Sequence, residues 1–338
     1  MRSFSCDNCG QLLFFENSVC LRCGTPQLFV PSRRDIVALG VDADSAELRA
    51  CANLLVAECN WAVEDEDPGP LCRSCALTRT RPADDDAEGL AAFAKAETAK
   101  RRLLYELYDL GLPVAEDRLA FDLLWPDAGP VVTGHDDGLV TIDLSESDDA
   151  EREMRRTELG EPYRTVLGHF RHEIGHYYEP ILVDAAGERG AFRALFGDER
   201  ASYEDARAGH YAAGPPGDWS ERFVSAYATM HPWEDWAETF AHYLHIRDAL
   251  QTAAAFGLLV TGPDATADPS LRAVPLDAGT RSFAAIVEEW LPLTYALNAV
   301  NRSMGRRDLY PFTLAPLVID KLTFVHERVL GAVALPGA

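Results

Sequence analysis

Residues 168–178 read GHFRHEIGHYY and contain the pattern His-Glu-x-x-His. If this stretch is helical, His172 and His176 lie four residues apart and point from one face, about 6 Å apart along the axis. Two imidazoles placed in this way can bind one zinc ion. Glu173, one residue round from the first imidazole, can hold the water that the ion polarises and is a candidate general base. An ordinary amphipathic helix with two histidines on one face would give the same pattern, so a further ligand has to be found.

The stretch MHPWEDWAETFAHYL at 230–244 offers a third ligand in the form of two acids. Pro232 allows a helix to start, and Glu234 and Glu238 then lie one turn apart beside an apolar stripe, where acids are costly unless something satisfies them. We take Glu234 as the third ligand and Glu238 as the acceptor for an imidazole N–H, that of His172. The reverse assignment stays open, and both acids could instead be solvated on a surface helix. The stripe consists of Trp233, Trp236, Ala237, Phe240, Ala241 and Leu244.

A tyrosine, Tyr227, precedes Glu234 by seven residues. Its hydroxyl could stabilise the oxyanion that forms when a peptide carbonyl is attacked. Most tyrosines simply pack with the hydroxyl at a wet edge, so the residue type alone does not decide between the two roles.

The first four of the eight cysteines form a zinc ribbon pattern. Two CxxC pairs are separated by ten residues, and a glycine follows each pair, which allows the tight turn that faces backbone N–H groups toward the sulfurs. Four thiolates fill the coordination sphere, so the ion would be structural. Disulfides are the alternative, which the CxxC spacing disfavours. The four ligands are Cys6, Cys9, Cys20 and Cys23.

The other four cysteines predict a second structural zinc site, which would leave no cysteine over. Only its second half has CxxC spacing, so two buried thiols beside a single knuckle are the alternative reading. The proposed ligands are Cys51, Cys59, Cys72 and Cys75.

Together, these motifs resemble a bacterial family of zinc-binding metallopeptidases with an N-terminal zinc ribbon, nearly end to end. The catalytic part is similar to gluzincin-type proteases, including the anthrax lethal factor protease domain and the Pro-Pro endopeptidases, in which a tyrosine stands seven residues before the ligand glutamate. The resemblance implies His172, His176 and Glu234 as zinc ligands and Glu173 as base. It further implies Tyr227 as oxyanion stabiliser and Glu238 as partner of a ligand imidazole. Thermolysin-like gluzincins have Asp where this chain has Glu238.

The composition limits which classes of protein and partner are compatible with this chain. Of 338 residues, 47% are hydrophobic, which supports a sizeable core, and a net charge of −23 opposes nonspecific binding to nucleic acid or anionic membranes. No apolar run reaches the roughly 20 residues that span a bilayer, and the chain opens directly on a cysteine motif rather than a signal peptide. We therefore expect a cytoplasmic protein with no membrane partner.

Between the motifs, residues 79–86 are polar and predict a linker, with a domain boundary near residue 82. A helix is expected over 88–110, followed by strands at 121–125, 131–133 and 138–144. In a zincin an edge strand beside the metal helix pairs with the substrate, so by resemblance the peptide should lie along 139–143.

Two further features bear on the candidate cleft. Gly175 in a helix interior costs about 1 kcal/mol relative to Ala, which suggests that another element packs closely there. The long segment at 181–219 is expected to cover the cleft and to contribute to substrate specificity.

We predict an α+β protein in which a zinc ribbon module with two four-cysteine sites (1–82) precedes a zincin-like metallopeptidase domain (83–338). The predicted reaction is hydrolysis of peptide bonds by a zinc-activated water with Glu173 as general base. The expected metals are one catalytic and two structural zinc ions, and the substrate is a peptide or protein. The ribbons could bind a protein or nucleic-acid regulator. The alternative is an adaptor that binds through its ribbons and keeps a catalytically silent zincin scaffold.

Overall fold

Short antiparallel hairpins carry the cysteine motifs at the start of the chain. The computed structural model describes residues 1–41, 48–65, 67, 69–115, 117–126, 129–158, 163–261, 270–272 and 281–333. The hairpins are β1 (Phe4–Ser5) with β2 (Leu12–Leu13), β3 (Gln27–Val30) with β4 (Asp35–Ala38), and β5 (Arg49–Ala50) with β6 (Ala62–Val63). A single helical turn, α1, covers Arg73–Ala76.

The glycine after each knuckle of the first motif makes the expected turn. Gly10 and Gly24 have φ of 69° and 72°, in the left-handed region that favours glycine. The N–H of Gly10 donates to the carbonyl of Cys6 at 2.7 Å, and that of Gly24 to the carbonyl of Cys20 at 2.8 Å. The two knuckles therefore have the same backbone geometry.

A four-stranded sheet follows, in the order β7-β8-β10-β9. Its strands are β7 (Thr78–Thr80), β8 (Ala120–Leu124), β9 (Gly134–Asp136) and β10 (Leu139–Asp143). The prediction of a linker from residue 79 was wrong at its first two residues, since they belong to β7, where Arg79 forms an ion pair with Asp122 of β8. The strand expected at 131–133 lies instead at 134–136. The domain boundary near residue 82 stays a prediction.

Strand β10 is not at the edge of the sheet. It pairs in parallel with β8 along its whole length and antiparallel with β9 from Leu139 to Thr141. Because both of its hydrogen-bonding edges are largely taken by protein strands, the expectation that a substrate peptide pairs with residues 139–143 was wrong. Strand β9, which has one free neighbour position in the described sheet, is the edge on that side.

The helix predicted over 88–110 is α2 (Ala87–Asp109), which begins at the N-cap Asp86. Its buried face meets the aromatic core of the cysteine-rich segment. Tyr105 lies 5.2 Å from Phe15 and 5.7 Å from Phe29 between ring centroids, and Phe29 lies 5.0 Å from Trp61. Rings at these distances bury a large apolar area and hold the short hairpins against the helix.

The remaining elements are mainly helical, which makes the chain an α+β protein. The helices are α3 (Asp149–Glu158), α4 (Val166–Glu179), α5 (Arg189–Phe196), α6 (Tyr203–Ala213), α7 (Pro232–Ala255), α8 (Phe283–Ser303) and α9 (Pro316–Val333); β11 (Leu259–Thr261) pairs with β12 (Ser270–Arg272). The chain forms two compact units, residues 1–159 with 164–170 and residues 160–163 with 171–338. Within the described residues, no helix combines the length and apolar composition needed to cross a membrane.

Gly175 lies where α4 and α7 touch. A Cβ built on it would stand 3.0 Å from Cα and 3.2 Å from the carbonyl oxygen of Ala237. Its own carbonyl accepts a hydrogen bond at 2.8 Å from the indole N–H of Trp236, which is fully buried. The close packing expected from the sequence is present, and it holds α4 and α7 side by side.

We expect Gly175→Ala to lower the free energy of unfolding, because the methyl group would meet backbone that cannot move alone. Overpacking costs about 1–3 kcal/mol, which outweighs the gain of up to about 1 kcal/mol in helix propensity. The matched control is Gly209→Ala in α6, whose Cβ would meet nothing within 4 Å among the described residues and which should stabilise slightly. Denaturant unfolding of both variants measures this; a Gly175→Ala variant as stable as the control would contradict the packing.

Candidate metal centres and active site

The two histidines of α4 converge with a glutamate of α7. His172 Nε2 lies 2.9 Å and His176 Nε2 3.5 Å from Oε2 of Glu234, and one ligand atom from each of the three side chains lies within 4.8 Å of the others. Glu234 is only 3% exposed. A buried carboxylate oxygen facing two ring nitrogens is a donor set that suits zinc.

Glu238 lies on the other side of the first imidazole. Its Oε1 is 2.7 Å from His172 Nδ1, while His172 Nε2 faces Glu234. Burial raises the pKa of Glu238, but the hydrogen bond and charge of His172 outweigh burial and hold it at about 2. This contact orients the ring in the way that a metal-bound histidine requires, and it favours Glu234 over Glu238 as the ligand.

Two neighbours complete the sequence-predicted set. Tyr227 lies in a 3₁₀ turn (Tyr227–Thr229) before α7, with its ring centroid 5.9 Å from that of His172. Burial, followed by the charge of Glu234, raises the pKa of Tyr227, so its hydroxyl stays protonated. Glu173 is 7% exposed and lies outside the cluster of three ligand atoms. The structure thus brings Tyr227 to the centre and keeps Glu173 out of the ligand set.

Sequence reasoning missed Tyr203. Its hydroxyl donates to Oε1 of Glu234 at 2.9 Å, the oxygen that does not face the histidines. It lies at the start of α6, inside the segment expected to cover the cleft. Burial, followed by the charge of Glu234, raises the pKa of Tyr203. No local pattern marks Tyr203, because its partner is 31 residues away along the chain.

The apolar stripe of α7 is buried as expected except at Trp233 and, in part, Ala241. Trp236, Ala237 and Phe240 are fully buried, whereas Trp233 is 40% exposed. Burial of Glu234 excludes the reading of this helix as a solvated surface element. His242, further along α7, bonds the hydroxyl of Tyr310 at 2.7 Å, and burial lowers its pKa to about 4, as befits a packed neutral histidine.

The first cysteine cluster has the spacing of a four-thiolate zinc site. Four sulfurs about 2.3 Å from one ion at tetrahedral angles stand about 3.8 Å apart. The Sγ–Sγ distances are 3.8 Å between Cys6 and Cys23 and 3.6 Å between Cys9 and Cys20. All eight cysteines of the chain are described, and all are free thiols, so the disulfide alternative does not hold. Cys23 is exposed, which leaves this site open to solvent.

The second cluster is fully buried and lies beside a buried ion pair. Cys59 and Cys72 are 3.7 Å apart between sulfurs, and all four thiol sulfurs lie within 4.8 Å of one another. Lys100, itself fully buried, pairs at 2.6 Å with Glu97, whose other oxygen is 3.8 Å from Cys75 Sγ. Four buried sulfurs this close together fit a structural zinc ion with no open coordination position. The alternative of two isolated buried thiols does not describe this arrangement.

Comparison with known proteins agrees with this donor chemistry. Residues 89–328 match the model of a family described as "putative zinc-binding metallo-peptidase", well over half of the chain. The chain belongs to this family. Residues 3–86 match a zinc-ribbon domain model, so this metallopeptidase family member carries an N-terminal zinc ribbon.

Relatives align with this chain over nearly its whole length. Uncharacterized proteins of Mycobacterium tuberculosis and Mycobacterium bovis are 52% identical to it over 337 residues, which covers 97% of this chain and 95% of theirs. No solved structure matches the chain.

Proposed function

We propose that the chain is a zinc-dependent peptidase that hydrolyses peptide bonds with Glu173 as general base. The observation that carries the proposal is the convergence of His172, His176 and Glu234 on one point, with Glu238 behind the first imidazole. Membership of a metallopeptidase family agrees with it, and a peptide or protein is then the substrate.

The three converging side chains would hold the catalytic ion. Zinc ligands about 2.0–2.1 Å from the ion at tetrahedral angles stand about 3.3 Å apart, close to the 3.5 Å between His176 and Glu234 and somewhat more than the 2.9 Å between His172 and Glu234. Bound zinc supplies a Lewis acid that polarises water and the scissile carbonyl. Three protein ligands leave a coordination position open, as a catalytic site needs.

The chain's own residues would manage the protons. Glu173 takes a proton from the attacking water and later donates it to the nitrogen of the leaving amine. The hydroxyl of Tyr227 donates a hydrogen bond to the oxyanion of the substrate. Glu238 keeps the His172 ring in one orientation throughout. The same tyrosine-to-glutamate spacing of seven residues underlies the proposed likeness to gluzincin-type proteases.

We further propose two structural zinc ions in the cysteine-rich segment. Their roles follow from four-thiolate coordination, which leaves no open position. The exposed first site and the buried second site would both stabilise hairpins that have little core of their own. The ligands are Cys6, Cys9, Cys20 and Cys23 for the first ion and Cys51, Cys59, Cys72 and Cys75 for the second.

Cleavage-site profiling tests the proposed activity. A proteome-derived peptide library is incubated with the zinc-loaded full-length chain and with a His176→Ala variant, and new peptide termini are identified by mass spectrometry. We expect termini with a recurring sequence pattern in the wild type alone. A wild type that is fully loaded with zinc yet produces no new termini would favour the adaptor function with a silent scaffold.

A further inference from the structure

The two oxygens of the Glu234 carboxylate contact different neighbours. Oε2 faces the two imidazoles, at 2.9 Å from His172 and 3.5 Å from His176. Oε1 accepts a hydrogen bond at 2.9 Å from the hydroxyl of Tyr203. Without this contact, the carboxylate could rotate and present Oε1, or both oxygens, to the metal position. The hydrogen bond from Tyr203 keeps Oε1 occupied.

The position of Tyr203 is itself fixed by neighbours in the same unit. Its ring lies 5.3 Å from that of His231 and 6.2 Å from that of Trp233, between centroids. His231 also bonds the carbonyl of Ala201 at 3.1 Å and, as the N-cap of α7, accepts the N–H of Trp233. The start of α7, which carries Glu234, is thereby joined to the residues just before α6, which carries Tyr203.

None of the residues of α6, all of which the structure describes, is buried. Besides Tyr203, its contact with this region is His210, whose Nδ1 lies 3.3 Å from Oγ1 of Thr229 and whose ring lies 6.2 Å from that of Tyr227. The Tyr203 hydroxyl is half-buried, and it reaches a buried carboxylate from a helix that has no buried residue. We therefore attribute its position to the contact with Glu234 rather than to the stability of α6.

We propose that Tyr203 is a positioning residue of the metal centre, whose hydroxyl holds Glu234 so that a single oxygen, Oε2, is presented to the ion. This rests on the metal centre of the proposed function, although not on peptide hydrolysis. Groups that hold metal ligands by hydrogen bonds commonly change metal affinity by about 10–100-fold when removed. The expected consequence is a weaker catalytic zinc site without loss of the fold.

The test is zinc affinity in the full-length protein. Zinc content is measured in metal buffers of graded free zinc for the wild type, Tyr203→Phe and Tyr211→Phe, with His176→Ala identifying the equivalent that belongs to this centre. Tyr203→Phe keeps the ring and removes only the hydroxyl, and Tyr211 is a 67% exposed tyrosine of the same helix. We expect Tyr203→Phe to bind that equivalent about 10–100-fold more weakly at an unchanged unfolding temperature, and Tyr211→Phe to behave as the wild type.

Two results would overturn the inference. If Tyr203→Phe binds that zinc as tightly as the wild type does, the hydroxyl does not position Glu234. If the wild type and His176→Ala hold equal amounts of zinc, the metal centre itself is absent and the inference falls with it. Cleavage assays do not enter either comparison, so a failure of the proposed peptidase activity alone would be seen separately.

Discussion

The Glu173→Gln variant is expected to lose peptide hydrolysis by a factor of about 10²–10⁴ while it keeps the zinc content of the wild type. Glutamine has the same shape as glutamate but cannot accept a proton from water at neutral pH. Glu173 is next to His172 on α4, 7% exposed, and outside the cluster of ligand atoms. The substitution should therefore remove the base and leave the proposed ligands His172, His176 and Glu234 in place.

The measurement is the rate of cleavage of a peptide found by profiling, together with zinc content by mass spectrometry of the metal. Glu204→Gln, which removes an exposed acid from α6, is the matched control for the change in charge and should retain full activity. Retained cleavage in Glu173→Gln would show that another group takes the proton. Loss of zinc in Glu173→Gln would show that Glu173 is a ligand.

The Cys72→Ser variant is expected to lose one zinc ion and to unfold at a temperature lower by about 10 °C or more. Structural zinc contributes about 10–16 kcal/mol of apparent binding free energy in small zinc-folded peptides, and 1 kcal/mol is worth about 2–4 °C in a unit of 150–250 residues. Cys72 is fully buried, caps α1, and stands 3.7 Å from Cys59. Loss of the ion would also leave three buried thiols, beside the Lys100–Glu97 ion pair, with nothing to join them.

Cys23→Ser is the matched control, because it removes a ligand from the exposed site. Cys23 already contacts solvent, so a serine hydroxyl at this position can be hydrated. We expect one zinc ion to be lost here too, with a clearly smaller fall in unfolding temperature. The unfolding temperature and the zinc content of both variants test this expectation. Equal falls in unfolding temperature for the two variants would contradict the proposed difference between the sites.

Periodicity and residue chemistry predicted the parts of the site that lie close together in sequence. The spacing of His172 and His176 fixes their shared face once the stretch is helical, and the tight packing at Gly175 follows from a costly glycine in a helix interior. Glu234 and Glu238 could be singled out because acids beside an apolar stripe need a partner. The glycines after the cysteine pairs likewise predicted turns that the structure contains.

What the sequence could not show depends on long-range geometry. Tyr203 reaches Glu234 through the placement of a whole helix, and nothing in its neighbourhood distinguishes it from an ordinary surface tyrosine. Alternation predicted β10 as a strand but could not show that β8 and β9 occupy both of its edges, because strand order is set by packing rather than by local pattern. The polar residues 79–80 read as linker, yet the ion pair of Arg79 with Asp122 belongs to a strand pair.

We propose that His172, His176 and Glu234 hold one zinc ion in addition to those of the two cysteine clusters. Zinc counting on the purified full-length chain and on Glu234→Ala tests it most directly, with protein concentration from amino-acid analysis. We expect three zinc ions per wild-type chain and two in Glu234→Ala, one for each cysteine cluster. A wild type with only the two cysteine-bound ions, or a Glu234→Ala variant with as much zinc as the wild type, would contradict it.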